Sequence, residues 1–75
     1  MKVGDFAIYK YDEYFEIVQI IAESYTNLIE CRMIEAFSDK SKAEPFDTFY
    51  FDKNKLLIIT DEKEIHRLNK LVIFK

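Results

Sequence analysis

The amino-acid sequence predicts an all-β fold, a small barrel of about five short strands with one short helix before the last strand. Three observations support this prediction. The chain has 75 residues, which suffice for one domain over residues 1–75 but not for two separate cores. Hydrophobic residues make up 49% of the chain and aromatic residues 16%, as is typical of a folded protein. Apolar and polar residues alternate at strand spacing in several short segments that turn residues separate.

The first two strands are predicted to form a hairpin. The side chains of Phe6–Tyr11 alternate at the strand period after a turn at Gly4-Asp5. Asp12-Glu13 is the only polar break before the next apolar run, which predicts a tight reversal. The second strand extends from Tyr14 to Ser24 and has no cleanly apolar face, so we expect a bulge or a strong bend within it.

A third strand, from Leu28 to Phe37, shows the clearest alternation in the sequence. The tract from Ser38 to Pro45 has no apolar period and contains a proline, so it is predicted to be a loop. Strand-forming residues return from Phe46 to Phe51 and from Leu56 to Ile59, on either side of a polar turn. The residues expected to share one core are Ile29, Cys31, Met33 and Phe37 from the third strand, Phe49 or Phe51, and Leu71 or Ile73.

A short helix is predicted near the end of the chain. Either Thr60 or Asp61 can cap it, and Glu64 stands three positions after Asp61, as in a capping box. We expect about two turns of helix, ending at Asn69 in a left-handed cap. The continuous apolar run from Leu71 to Phe74 then fits a final strand.

Two segments, Val3–Tyr9 and Phe15–Ile20, resemble the opening hairpin of SH3-like β-barrels of the KOW, Tudor and CarD type. Two later segments are similar to the stretch where such barrels lead into their last strands: Phe49–Asp52 and Leu56–Ile59. The resemblance implies an SH3-like barrel. CarD-like domains carry a proline after the aromatic residue and a His-Gly-Val-Gly turn, where this chain has Lys10 and then residues 11–14. Contact with RNA polymerase is therefore not implied.

Composition and charge exclude several classes of function. The chain has 11 basic and 14 acidic residues and a net charge of -3, whereas domains that bind a phosphate backbone through charge alone usually carry a basic excess. A single glycine rules out the glycine-rich loops of nucleotide-binding sites. Cys31 is the only cysteine, and no apolar leader precedes the first strand, so we expect a reducing cytoplasmic setting and no membrane association. The abundance of Ile, Lys, Asn, Tyr and Phe suggests AT-rich coding and a bacterial source.

No constellation of residues in the sequence points to catalysis, a metal or a cofactor. Cys31 and His66 are the only thiol and imidazole, so a zinc site, which needs about four ligands, would require added carboxylates. A nucleophilic pair of Cys31 and His66 is formally possible, but Cys31 lies on the apolar face of its strand, which predicts a core thiol. Glu13 and Glu16 could act as an acid/base pair, although carboxylates beside a turn are usually solvated.

The tyrosines and acidic residues around the first hairpin form the predicted partner-binding site. The residues assigned to it are Tyr11, Asp12, Glu13, Tyr14 and Glu16. Exposed tyrosine is a favourable contact residue, and an acidic rim speeds encounter with a basic surface. We therefore expect a non-enzymatic module that docks a protein, such as a component of the transcription or translation machinery, or a toxin or defence enzyme that it inhibits.

The alternative hypothesis is a nucleic-acid-binding barrel. Aromatic side chains would stack on bases, and lysines would approach the phosphates. The lysines concerned are Lys40, Lys42, Lys53 and Lys55. Binding to single-stranded oligonucleotides with a steep salt dependence would distinguish this hypothesis from protein docking.

Overall fold

The computed structural model describes residues 2–11, 14–23, 26–36 and 47–73. Within these ranges, the strands are β1 (Phe6–Tyr11), β2 (Tyr14–Ala22), β3 (Leu28–Ala36), β4 (Thr48–Asp52) and β5 (Leu56–Ile58). A single turn of 3-10 helix, Lys53–Lys55, joins β4 to β5, and helix α1 spans Glu62–Ile73. The predicted all-β class, with five strands and one short helix, is confirmed.

The five strands form one antiparallel sheet in the order β4-β3-β2-β1-β5. The first four strands pair in the order of the chain, whereas β5 returns to the other side of β1. The register pairs Tyr11 with Tyr14, as a two-residue connection between β1 and β2 requires. Consequently β4 and β5 are the edges of the sheet among the described strands.

The predicted turn before β1 is present and depends on Gly4. Asp5 N donates to Lys2 O at 3.0 Å, and Lys2 N donates to Asp5 Oδ2 at 2.8 Å. Gly4 has a φ of 97°, a conformation that side chains other than that of glycine rarely adopt. Its N–H donates to Ile20 O at 2.8 Å, which ties the turn to β2.

The sheet curls so tightly that its first and fourth strands face each other. Neighbouring strands lie about 4.8 Å apart, so β1 and β4 would be separated by about 14 Å in a flat sheet. Instead, the rings of Tyr9 in β1 and Phe51 in β4 have centroids 4.7 Å apart. We call the concave side the inner face. The buried residues of its inner core come from all five strands: Ala7, Val18, Ile20, Ile29, Cys31, Phe51 and Leu56.

Helix α1 packs on the opposite, outer face of the sheet. The buried residues of this outer core are Phe6, Ile17, Ile34 and Leu68. Leu68 comes from α1 and is fully buried. Ile65 and Val72 pack against the same cluster, at the spacing that places them on one side of a helix with Leu68.

The irregular alternation of β2 has its origin in these two cores. Ile17 enters the outer core, whereas Val18 and Ile20 enter the inner core. The bulge expected in this strand is confirmed at Ile21, which has no partner between the pairs Ile20–Cys31 and Ala22–Glu30. A second shift, between Ile17 and Val18, places the extra residue in β3. One face of β2 is therefore apolar because it contributes to the inner core, and the other because it contributes to the outer core.

The order of the last two elements differs from the prediction, since the helix follows the last strand. The helix continues past Asn69, and residues 71–73, predicted to begin a final strand over Leu71–Phe74, belong to it. The side of β1 that a final strand would need is taken by β5, and Val72 stands at helical spacing from Leu68. Leu71 is 38% exposed and so does not enter the core, where Leu56 is buried instead.

The remaining expectations for the core concern β3 and β4. The predicted apolar face of β3 is confirmed, because Ile29, Cys31 and Met33 are each at most 1% exposed. Strand β4 begins at Thr48. Phe37, Phe46 and the loop predicted between them over Ser38–Pro45 lie outside the described residues.

Candidate binding groove on the outer face

The structure describes the predicted partner-binding hairpin only in part. Tyr11 ends β1, Tyr14 begins β2, and the two residues are register partners. Their side chains, together with Asp12 and Glu13, lie outside the described part of the chain. Glu16 is only 8% exposed, because the alternation along β2 places it on the inner face with Val18. Its carboxylate is therefore not on an exposed acidic rim, and the expectation that it is solvated does not hold.

An open groove with a cavity volume of about 560 Å³ lies on the outer face beside this hairpin. Its apolar lining consists of Ile8, Phe15, Ile17, Leu57, Ile58 and Ile59. Its polar lining consists of Thr60, Asp61, Glu64 and Arg67. Phe15 directly follows Tyr14, so the groove adjoins the hairpin that the sequence singles out.

The floor of the groove is a row of side chains across neighbouring strands. Leu57 of β5 pairs with Ile8 of β1, and Ile8 pairs with Ile17 of β2. Ile17 in turn pairs with Glu35 of β3. Directly opposed residues project from the same face of a sheet. The groove therefore crosses the outer face from the edge at β5 towards the part that α1 covers.

Two large apolar side chains of the groove are exposed. Leu57 is 66% exposed and Phe15 is 38% exposed. Leu57 lies on the outer face because Leu56 and Ile58, its neighbours in β5, pack with the inner core. Single exposed leucines are common, but an apolar patch that polar residues surround is typical of an interaction site.

The start of α1 forms one margin of the groove, and Asp61 caps the helix there. Asp61 Oδ1 accepts from Lys63 N at 3.1 Å, and the Asp61 carbonyl accepts from Ile65 N at 2.9 Å. The predicted cap at this position is confirmed. The cap fixes the position of the Asp61 carboxylate beside the groove.

Arg67 links this margin to the sheet. Its Nη1 and Nη2 donate to Glu35 Oε2 and Oε1 of β3 at 3.1 and 2.7 Å. Its Nε donates to Glu64 Oε2 at 3.3 Å, and its Nη2 also donates to Glu64 Oε1. The bonds from Arg67 hold the pKa of the Glu64 carboxyl below its ordinary value. Those to Glu35 and then to Glu64 raise the pKa of Arg67.

The charges of this margin do not cancel. Arg67 brings one positive charge against the two carboxylates that it binds, and Asp61 adds a further negative charge. On the other side of the groove, the exposed Lys10 is the register partner of Phe15. The groove thus has an acidic margin at α1 and a basic residue near the hairpin.

Sequence reasoning missed Leu57, Glu35 and Arg67 as members of a site. The i, i+3 spacing of Glu64 and Arg67 on a helix indicates an ion pair, but the third partner comes from β3, far away in sequence. The continuous apolar run over residues 56–59 is a second signal, since a strand with apolar side chains on both faces needs cover on both.

The thiol and the imidazole lie on opposite sides of the sheet. Cys31 is buried in the inner core, as predicted, and burial followed by the charge of Glu30 raises its pKa to about 11. His66 is an exposed residue of α1, which packs on the outer face. The formal pair of Cys31 and His66 is therefore not assembled. In residues 2–11, 14–23, 26–36 and 47–73, no three His, Cys, Asp or Glu side chains are grouped so that they could hold a metal ion.

A second exposed surface lies on β3 and β4. Tyr50 is 66% exposed and pairs with Glu30, and Leu28 nearby is 47% exposed. Arg32 Nε and Nη2 donate to Gln19 Oε1 at 2.9 and 2.6 Å. Of the four lysines in the nucleic-acid hypothesis, Lys53 and Lys55 lie in the 3-10 turn after β4, and Lys40 and Lys42 lie outside the described residues.

Comparisons with protein-family models, with curated proteins and with solved structures gave no match. Within the described ranges, no helix has the length and apolar character needed to cross a membrane.

Proposed function

We propose that this chain is a non-catalytic, SH3-like module that docks a protein partner through the outer-face groove. The proposal rests on the exposure of Leu57 and Phe15 in one groove with an acidic margin. Apolar area at the centre of such a surface favours association, while charges at its rim select the partner and speed encounter. The curled five-stranded antiparallel sheet supports the SH3-like part of the proposal.

The hairpin extends this site in the proposal. Because Phe15 lines the groove and follows Tyr14, a partner in the groove reaches the end of β2 at which the hairpin begins. The proposed partner is a cytoplasmic protein, either a component of the transcription or translation machinery or a toxin or defence enzyme that the module inhibits. The net charge of -3 favours a partner with a basic surface.

Site-specific cross-linking tests the proposal. A photoreactive amino acid replaces either Leu57 in the groove or Leu28 on β3, which is a matched control because both are exposed leucines on strands. We expect a protein of the source cell to be joined from position 57 and not from position 28. The same product should be lost when Phe15 is replaced by Ser. Equal products from both positions, or none from position 57, would contradict the proposal.

A second candidate function is binding of single-stranded nucleic acid by β4. The exposed ring of Tyr50, followed by Lys53 and Lys55, is the observation that favours it. Glu30 lies directly opposite Tyr50. Its presence argues against this function, because a carboxylate repels phosphates. Titration of labelled oligonucleotides at two salt concentrations is the test. This function requires binding that weakens steeply with salt and that Tyr50→Ala abolishes.

A further inference from the structure

We propose that the groove binds an extended, basic segment of the partner protein, and that this segment adds a strand to the free side of β5, the side that no described strand occupies. The inference rests on the proposed function and specifies the chemistry and conformation of what the groove binds. Strand addition uses backbone hydrogen bonds for affinity and alternate side chains for specificity. Three features of the groove support it.

The first feature is the direction of the backbone groups of β5. Ile59 N donates to Phe6 O of β1 at 2.9 Å, and the register continues with Ile58 opposite Ala7. In an antiparallel pair, alternate residues direct both N–H and C=O towards the partner strand. Since Ile59 bonds towards β1, the N–H and C=O of Ile58 point away from β1. They point towards the free side of the sheet, where a further strand would pair.

The second feature is that the groove opens at this edge. Five consecutive residues, 57–61, line it. Ile58 is among them although its side chain packs with the inner core, so the groove reaches the backbone of the edge strand. An extended segment that pairs with β5 therefore runs beside residues 57–61, at the open end of the groove. Its side chains on the outer face would project beside Leu57 and towards Ile8, with which Leu57 pairs.

The third feature is the charge of the margin. The carboxylates of Asp61 and Glu64 line the groove, and Arg67 neutralises only part of the charge of Glu64 because it also binds Glu35. A lysine or arginine of the bound segment would complement this margin. The segment is therefore assigned to a basic stretch of a different protein, and dimerisation of the chain through β5 in solution would overturn this assignment.

Selection from a library of random dodecapeptides displayed on phage tests the inference with a defined probe. The full chain is the target, and the selected peptides are then measured against Leu57→Thr, because threonine keeps the strand propensity of an exposed position and removes apolar area. We expect the selected peptides to combine alternating apolar residues with Lys or Arg. Their affinity should fall about tenfold or more in Leu57→Thr and stay unchanged in the matched variant Leu28→Thr.

Two conservative variants test the charge of the margin. Asp61→Asn removes a carboxylate from the groove and preserves the cap, since asparagine caps a helix as well as aspartate does. It should weaken the binding of the selected peptides about two- to fivefold at low salt, and this loss of affinity should vanish at high salt. Glu62→Gln is the control, because Glu62 is an exposed residue of the same helix turn that does not line the groove. Equal effects of the two variants would overturn the assignment of a basic segment.

Amide exchange of Ile58 tests the extended conformation. Addition of a strand gives the Ile58 N–H a new acceptor, so its exchange should slow when a selected peptide binds. Exchange that stays unchanged under saturation, with Leu57 still required, would overturn strand addition while leaving the groove as the docking site. Selection of acidic peptides would overturn the assignment of a basic segment and would likewise leave the groove as the docking site. Peptides that bind the Leu57→Thr variant equally well would contradict the docking site itself, and so the proposed function.

Discussion

The inner face of the sheet is buried by contributions from all five strands, whereas the outer face is divided between a helix and an open groove. On the inner face, Val18 and Cys31 are fully buried. On the outer face, Leu68 is fully buried under α1, but Leu57 remains 66% exposed. The difference separates two requirements. One face supplies the apolar burial that a chain of 75 residues needs to fold, and the other has apolar area left for binding.

The largest expected effect of a substitution is on the inner face. Met33 is 1% exposed and shares the buried side of β3 with Cys31. Met33→Ala removes most of a buried side chain and leaves a cavity, so we expect a loss of about 2–5 kcal/mol in the free energy of unfolding. Urea denaturation measures it, with Leu28→Ala as the exposed control on the same strand. A loss below about 1 kcal/mol would show that the inner face tolerates cavities and would remove the contrast with the outer face.

A smaller effect is expected under the helix. Ile65 is half-buried in the outer core, so Ile65→Ala should cost about 1–2 kcal/mol. Because α1 is attached by one stripe of side chains, its amides should exchange faster in this variant while those of Val18 and Cys31 stay slow. Hydrogen exchange followed by NMR measures the amides of α1 separately from those of the sheet. Uniform acceleration over helix and strands would instead show that the outer core opens only with the whole domain.

The ion network of Arg67 should contribute less again. The side chain of Arg67 is 44% exposed, so solvent screens its bonds, and Arg67→Gln should cost no more than about 1 kcal/mol. The sign of the pH dependence follows from Glu64, whose pKa lies below its ordinary value of 4.5 in the folded protein. Its stabilising effect is present above 4.5 and is lost as the pH falls through the lowered pKa. The stability difference between the protein and Glu64→Gln should therefore be present at neutral pH and disappear in acid. A difference that grows in acid would contradict this assignment.

The smallest expected effect on stability is in the groove. Leu57→Thr should change the free energy of unfolding by no more than about 0.5 kcal/mol, because the side chain is mostly in solvent. A thermal melt compared with that of the parent chain is sufficient. A clear fall in the midpoint would mean that Leu57 contributes to the outer core, and its exposure would no longer indicate a binding surface.

The fold class and most elements could be predicted because local signals agree with the final structure. The alternation of β3 and the cap at Asp61 are read directly from neighbouring residues. The error at residues 71–73 arose because a short apolar run suits a strand and a buried helix turn equally well. The helix is formed here because β5 occupies the side of β1 that a final strand would need, which no local pattern reports.

The sequence predicted a region next to the candidate site but not most of the residues that line it. The sequence drew attention to the hairpin, and Phe15, which follows it, does line the groove. The rest of the groove comes from Ile8 of β1, Ile17 of β2, the segment 57–61 and the start of α1, and the pairing of β5 with β1 brings β5 beside the other strands. Glu16 is the opposite case. Its position beside a turn indicated exposure, but the face of β2 on which it stands made it buried.

The position of β1 between β2 and β5 has a consequence for the time course of folding. Strands β1 to β4 pair with their neighbours in sequence, so their ladders join residues that are closer along the chain than those of the β1–β5 ladder. The pairing of Ala7 with Ile58 instead joins residues that are 51 positions apart in the sequence. Closing this loop costs more chain entropy than closing a hairpin, so this ladder should form late. During synthesis on the ribosome, one side of β1 then stays unpaired, and so prone to aggregation, until β5 has been synthesised.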